Sequence, residues 1–120
     1  MSKKFGRDVR LRSRAEFTAV QDNGRRVSSR FLTLLGLPND LGRDRLGIIA
    51  SRRLGGAVVR NRAKRRLREI FRHGGADVIP AGQPSLDLVA IARRDLVLAP
   101  IADVRADVRS AIGRLRRACA

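Results

Sequence analysis

Apolar and polar positions fall into seven segments once the first dozen residues are passed. "SRAEF", Ser13 to Phe17, carries the S-x-x-E spacing of a capping box. It predicts a helix from about Arg14 to Asn23, with Ala15, Phe17, Val20 and Gln21 distributed around it. "DNG", Asp22 to Gly24, then supplies the glycine usual at a helix C-terminus. "RRVSSRFLTLLGL" is β-like, with Val27 in a short first strand and Phe31 to Leu37 in a second. Turn chemistry fills Pro38 to Asp44, and "RLGIIAS", Arg45 to Ser51, reads as a third strand. Strands so close in sequence pair most simply as an antiparallel meander. After the basic, glycine-containing loop Arg52 to Gly56, a helix spans about Ala57 to Arg72. A Gly- and Pro-rich loop, His73 to Ser85, leads to a fourth strand, "LDLVAIARRD". A C-terminal helix follows, with Pro100 in its first turn. Ile101, Val104, Val108, Ala111, Ile112, Leu115 and Ala118 give that helix one apolar face. The order αβββαβα predicts an α+β two-layer sandwich, residues 1–120 forming one domain and residues 1–12 a basic, flexible arm.

The helix after the third strand changes this picture from fold to partner. At about 100° per residue, Val59, Ala63, Leu67, Ile70 and Phe71 share one face. Asn61, Arg65, Arg68 and Arg72 lie opposite, with Arg60 and Lys64 on one shoulder and Arg62 and Arg66 on the other. From Arg52 to Arg72 there are nine basic residues and one acid, Glu69. A solvated helix normally mixes signs, because opposite charges at i, i+4 stabilise it and like charges oppose it. The missing acids favour a polyanionic partner over plain solvation. The net charge of +16 points the same way, with nucleic acid ahead of an anionic membrane surface. The 27 basic residues include only three lysines, and the planar guanidinium fork suits phosphate, although a codon bias toward arginine gives the same excess. No helix-turn-helix pair or basic zipper is present. A basic helix backed on a sheet suits structured RNA, read by backbone and shape. With no Trp or Tyr and only four Phe, reading of sequence on many aromatic platforms is unsupported.

These residues also carry a resemblance. "GAVVRNRAKRRLREIFR", Gly56 to Arg72, is similar to the arginine-asparagine-arginine signature of the bacterial ribonuclease P protein component family. "RLRSRAEFTAV" resembles the family's first helix, "RLGIIASRRLGGAVVRNR" its strand, loop and signature helix, and "LDLVAIARRD" its last strand with a terminal basic pair. The resemblance covers roughly residues 10 to 118. It implies a central four-stranded sheet with a left-handed βαβ crossover, of the kind seen in a ribosomal-protein domain. It also implies binding to ribonuclease P RNA and to precursor tRNA, whose 5′ leader the holoenzyme removes. The RNA performs the hydrolysis with Mg²⁺, and the protein carries no cofactor and no catalytic residue. By motif match, Arg60, Asn61, Arg62, Lys64, Arg65, Arg66 and Arg68 form the RNA-subunit surface. A leader cleft between the first helix and the sheet takes Phe17, Ser51, Arg52, Arg53, Arg93 and Arg94. On the residues alone, Phe17 is equally an ordinary core aromatic, and the arginine pair a solvated strand end. Family aromatics are absent here at Gln21 and near Leu34 or Leu35, so the stacking part of the cleft is expected to be thinner.

Catalysis by the protein itself finds little support in the residues. His73 is the single histidine and Cys119 the single cysteine. The acids are scattered, without the clustered pair of a two-metal nuclease. A protein nuclease and a general structured-RNA-binding module of ribosomal type are the competing readings. One cysteine fits a reducing compartment, and the basic N-terminus lacks the apolar run of a secretory signal. No stretch approaches a membrane span. The expectation is a cytoplasmic protein with no membrane contact and no obligate protein partner.

Overall fold

In the computed structural model the described residues are 10–73 and 79–120, with the side chain of His73 left aside. The elements are α1 (Arg14–Asn23), β1 (Arg25–Ser28), β2 (Leu32–Pro38), β3 (Arg45–Ile49), α2 (Ala57–His73), β4 (Leu86–Ala92), α3 (Asp95–Leu98) and α4 (Ile101–Cys119). A single 3₁₀ turn, Arg52–Leu54, leads into α2. The predicted order holds, with α3 as an unforeseen extra turn inside the Arg94 to Pro100 connection.

The strands run in the order β1-β2-β4-β3. β1 with β2 and β2 with β4 pair antiparallel, and β3 pairs parallel to β4. The expected three-strand meander is therefore corrected: β4 lies between β2 and β3. The physical reason is the crossover. α2 carries the chain from the end of β3 back to its beginning, which delivers β4 parallel to β3. β4 is buried at Leu86, Leu88, Val89 and Ala90, as a central strand should be.

The two faces of the sheet bury different clusters. Leu32, Leu34, Leu46, Leu86, Leu88 and Ala90 join Leu67, Ile70 and Phe71 of α2 and Val104, Val108, Ala111 and Leu115 of α4 in the main core. Leu35 and Val89 face the other way and form a small cluster with Leu11 and Val20, flanked by Phe17, Ile49 and Ile91. α1 covers only part of this reverse face. The α4 face matches the sequence pattern at its centre, but Ile101 and Ala118 are exposed and Cys119 packs inward.

Local chemistry explains the boundaries. The capping box forms: the Glu16 N–H donates to Ser13 Oγ at 3.1 Å, and Glu16 Oε1 accepts from the Ser13 and Arg12 N–H groups. Gly24 does not take the expected left-handed cap and is extended, with φ −79°. It is needed for space, because a Cβ there would stand 2.5 Å from the Val20 carbonyl oxygen and 2.8 Å from that of Gly36. Pro100 sits at the N-cap of α4 rather than within it, its carbonyl accepting from the Asp103 and Val104 N–H groups. Residues 1–9 of the expected arm lie outside the described residues, as do residues 74–78 of the long loop. The end of the arm is not free: Arg10 bridges to Leu46, and the Leu11 N–H donates to the Leu46 carbonyl at 3.0 Å with its side chain buried.

Candidate nucleic-acid interface

α2 has the two-sided character its spacing predicts. Ala63, Leu67, Ile70 and Phe71 are buried and Val59 packs beside them, while Asn61, Arg62, Arg65 and Arg68 are exposed. Arg60 and Lys64 are half-buried on the shoulder. Two residues of the cationic coat have local duties. The Arg66 guanidinium donates to the carbonyls of Leu96 and Ala99 and so ties α2 to α3 and the turn before α4. Arg72 pairs with Glu69 one turn back. The guanidinium groups of Arg62, Arg65 and Arg68 project into solvent from a core-anchored helix. Such an array presents forked donors to phosphates without a large ordering cost.

The second surface is the part of the reverse face that α1 leaves open. Across the strands, Ser28 pairs with Thr33, Thr33 with Ile91, and Ile91 with Ile49, so these four share one face. Ile49 and Ile91 are half-exposed, giving the cleft an apolar floor. Phe17 stands at its α1 side, partly exposed and packed on the small cluster. Its ring occupies the space above Gly47, where a Cβ would come within 2.5 Å of two ring carbons. Phe17 is thus both a core contact and an accessible aromatic face. Arg93 closes the cleft at the end of β4, its guanidinium donating to Thr33 Oγ1 at 3.3 Å. Ser51, Arg52 and Arg53 are exposed on the turn two residues beyond Ile49.

Arg94 parts from Arg93. It lines a recess on the α2 side of the sheet with Arg62, Val58 and Leu98. Thr33, Ile49 and Ile91 were missed by sequence reasoning. The period-2 alternation of the strands held the signal, but both faces of β4 are apolar, which masks a face that is only half covered.

An ion network ties α1 to the sheet. Arg45 donates to Asp87 through Nε at 2.8 Å and Nη2 at 2.7 Å, and to Glu16 Oε2 through Nη1 at 2.7 Å. Backbone N–H donors from Ser13 and Arg12, helped by the Arg45 charge and opposed by burial, hold the Glu16 carboxyl down at about 2. These partners raise the Arg45 guanidinium further above its ordinary value. Burial raises the Cys119 thiol, which leaves it without the thiolate character of a reactive cysteine. Two further acids, Asp107 and Asp44, hold the fold together. Asp107 accepts from Ser29 Oγ at 2.7 Å and the Phe31 N–H at 3.0 Å, and Asp44 accepts from Arg116 and the Leu86 N–H. Among the described residues no group of three His, Cys, Asp or Glu side chains is placed to hold a metal ion.

Known proteins share both sequence and fold with this chain. The profile of the Ribonuclease P family matches residues 5–116. The ribonuclease P protein component of Chloroflexus aggregans is 41% identical over 111 residues, covering 92% of this chain and 77% of that one. Its counterpart from Thermotoga maritima is 38% identical over 96 residues, covering 80% and 79%. The solved RNase P protein of Thermotoga maritima superposes with a TM-score of 0.73 at 32% identity, covering 90% and 96% of the two chains. That of Staphylococcus aureus gives 0.73 at 25% identity, covering 90% and 97%. A core-anchored arginine helix behind a four-stranded mixed sheet, matched along nearly its whole length, places this chain in the family of ribonuclease P protein components.

Proposed function

We propose that the chain binds ribonuclease P RNA through the outer face of α2 and holds the 5′ leader of precursor tRNA in the cleft between α1 and the sheet. Family membership makes it a component of a tRNA-processing enzyme. The observation that carries the finer reading is the exposure of Asn61, Arg62, Arg65 and Arg68 on a helix whose opposite face is buried at Ala63, Leu67, Ile70 and Phe71. Arg60 and Lys64 flank that surface, and Arg66 supports it by fixing α3. In the cleft, Phe17 stacks an unpaired base, while Ser51, Arg52, Arg53 and Arg93 hold phosphates. Hydrolysis belongs to the RNA, for which Mg²⁺ supplies the charge stabilisation; the protein contributes substrate binding and metal affinity to the assembly. The setting is cytoplasmic, and among the described residues no helix is long and apolar enough to cross a membrane.

The test uses the double variant R65A/R68A, whose side chains leave the core untouched. Its affinity for a bacterial ribonuclease P RNA should fall at least tenfold, with an unchanged melting temperature. The slope of log affinity against log salt should become shallower by about one for each phosphate that is no longer neutralised. A drop in melting temperature with unaltered RNA affinity would contradict the assignment. Equal loss for an unrelated structured RNA would support the general RNA-binding reading instead.

A further inference from the structure

The described residues expose four large apolar side chains, and two of them stand together. Val58 is 84% exposed and Leu98 is 75% exposed. Both border a recess of about 310 Å³ between the first turn of α2 and α3. Leu54 and Val97, each 4% exposed, provide its buried apolar lining. Two guanidinium groups share the recess, Arg62 from α2 and Arg94 from the start of α3. Neither has a hydrogen-bond or ion-pair partner among the described residues, unlike Arg66 one turn along, which is tied to backbone carbonyls. No carboxylate lines the site.

An apolar cavity with cations on its border selects a ligand that is flat or apolar at one end and anionic at the other. A single unpaired nucleotide has that form. Its base would lie against Val58 and Leu98, and its flanking phosphates would meet Arg62 and Arg94. Guanidinium planes also stack on base faces, which matters in a chain without Trp or Tyr. Of the three phenylalanines among the described residues, Phe31 and Phe71 are buried in the core, and Phe17 belongs to the cleft. Among those residues, base contacts away from the cleft therefore fall to aliphatic surface and guanidinium planes. The recess also joins the two RNA surfaces, since Arg62 belongs to the signature helix and Arg94 directly follows the cleft residue Arg93.

We propose that the recess bounded by Val58, Leu98, Arg62 and Arg94 receives one extruded, unpaired nucleotide of the ribonuclease P RNA. This rests on the RNA-binding reading above and adds a specific apolar contact to it. The experiment measures binding of the full-length chain to a bacterial ribonuclease P RNA across a salt series, with chemical probing of unpaired bases in the complex. Val58→Ala and Leu98→Ala should each weaken binding about 3- to 10-fold with the salt slope unchanged, because an apolar contact releases no counterions. Arg62→Ala and Arg94→Ala should weaken it and also flatten the slope by about one each. One base protected by the wild-type chain should regain reactivity with V58A and L98A. Unchanged affinity and protection in V58A and L98A would overturn the proposal while leaving the electrostatic reading intact. Loss of a concentration-dependent dimer in V58A, with RNA binding unchanged, would assign the surface to a second copy of the chain and overturn it too. Failure of the wild-type chain to bind the RNA at all would instead defeat the reading on which it rests.

Discussion

Arg116 sits among the arginines that end α4, yet its side chain is only 3% exposed. Its guanidinium forks onto Asp44, with Nη1 2.9 Å from Oδ1 and Nη2 2.6 Å from Oδ2, and also donates to the Pro84 carbonyl. Asp44 accepts a further bond from the Leu86 N–H. The pair therefore joins the last helix to the entrances of β3 and β4. Arg116→Met leaves Asp44 charged, buried and unpaired, so unfolding free energy in a denaturant titration should fall by about 3–5 kcal/mol. A loss below about 1 kcal/mol would show that the pair adds little to the fold. Neither residue stands out in the sequence, because a long-range pair leaves no local spacing. Glu16 differs in being half legible. Its capping role follows from S-x-x-E, but its bond to Arg45 depends on the sheet. Its folded value of about 2 lies below the ordinary 4.5, so its contribution is complete above pH 4.5 and is lost as pH falls toward 2. Wild-type stability should therefore drop relative to Glu16→Gln across that window. Parallel acid profiles for the two proteins would contradict this.

At the scale of elements, α2 was the most legible part of the chain. Its 3.6-residue period separated core from surface correctly, since a helix face is a local property. The arginines were less legible individually: Arg66 and Arg72 make intramolecular contacts that depend on tertiary placement. The strand order was not legible, because local alternation does not say which neighbour β3 chooses. α3 was hidden because four residues carry no measurable period. The placement of α1 depends on two features from distant segments, the Arg45 ion network and the bare Gly47 beneath Phe17. Phe17→Ala should weaken precursor tRNA binding to the assembled holoenzyme by roughly tenfold, with much less effect on mature tRNA. Paired affinity measurements check this, and equal losses for both would remove the leader from the cleft.

At the scale of the whole molecule, the chain carries a net charge of +16, and its sheet separates the arginine face of α2 from Phe17 and Arg93. The main core fixes α2 on one side, while on the other α1 leaves a strip of sheet open beside Phe17 and Arg93. Under the proposed function, such a chain touches an RNA subunit and its substrate at once and leaves hydrolysis to the RNA. Reconstitution tests that claim most directly. The chain is added to a bacterial ribonuclease P RNA at low Mg²⁺, and cleavage of precursor tRNA at the mature 5′ end is followed, with the protein alone and the RNA alone as controls. Cleavage should require the RNA, rise many-fold on adding the protein, and be absent with protein alone. Cleavage by the protein without RNA, or no effect of the protein on the RNA at any Mg²⁺ concentration, would contradict it.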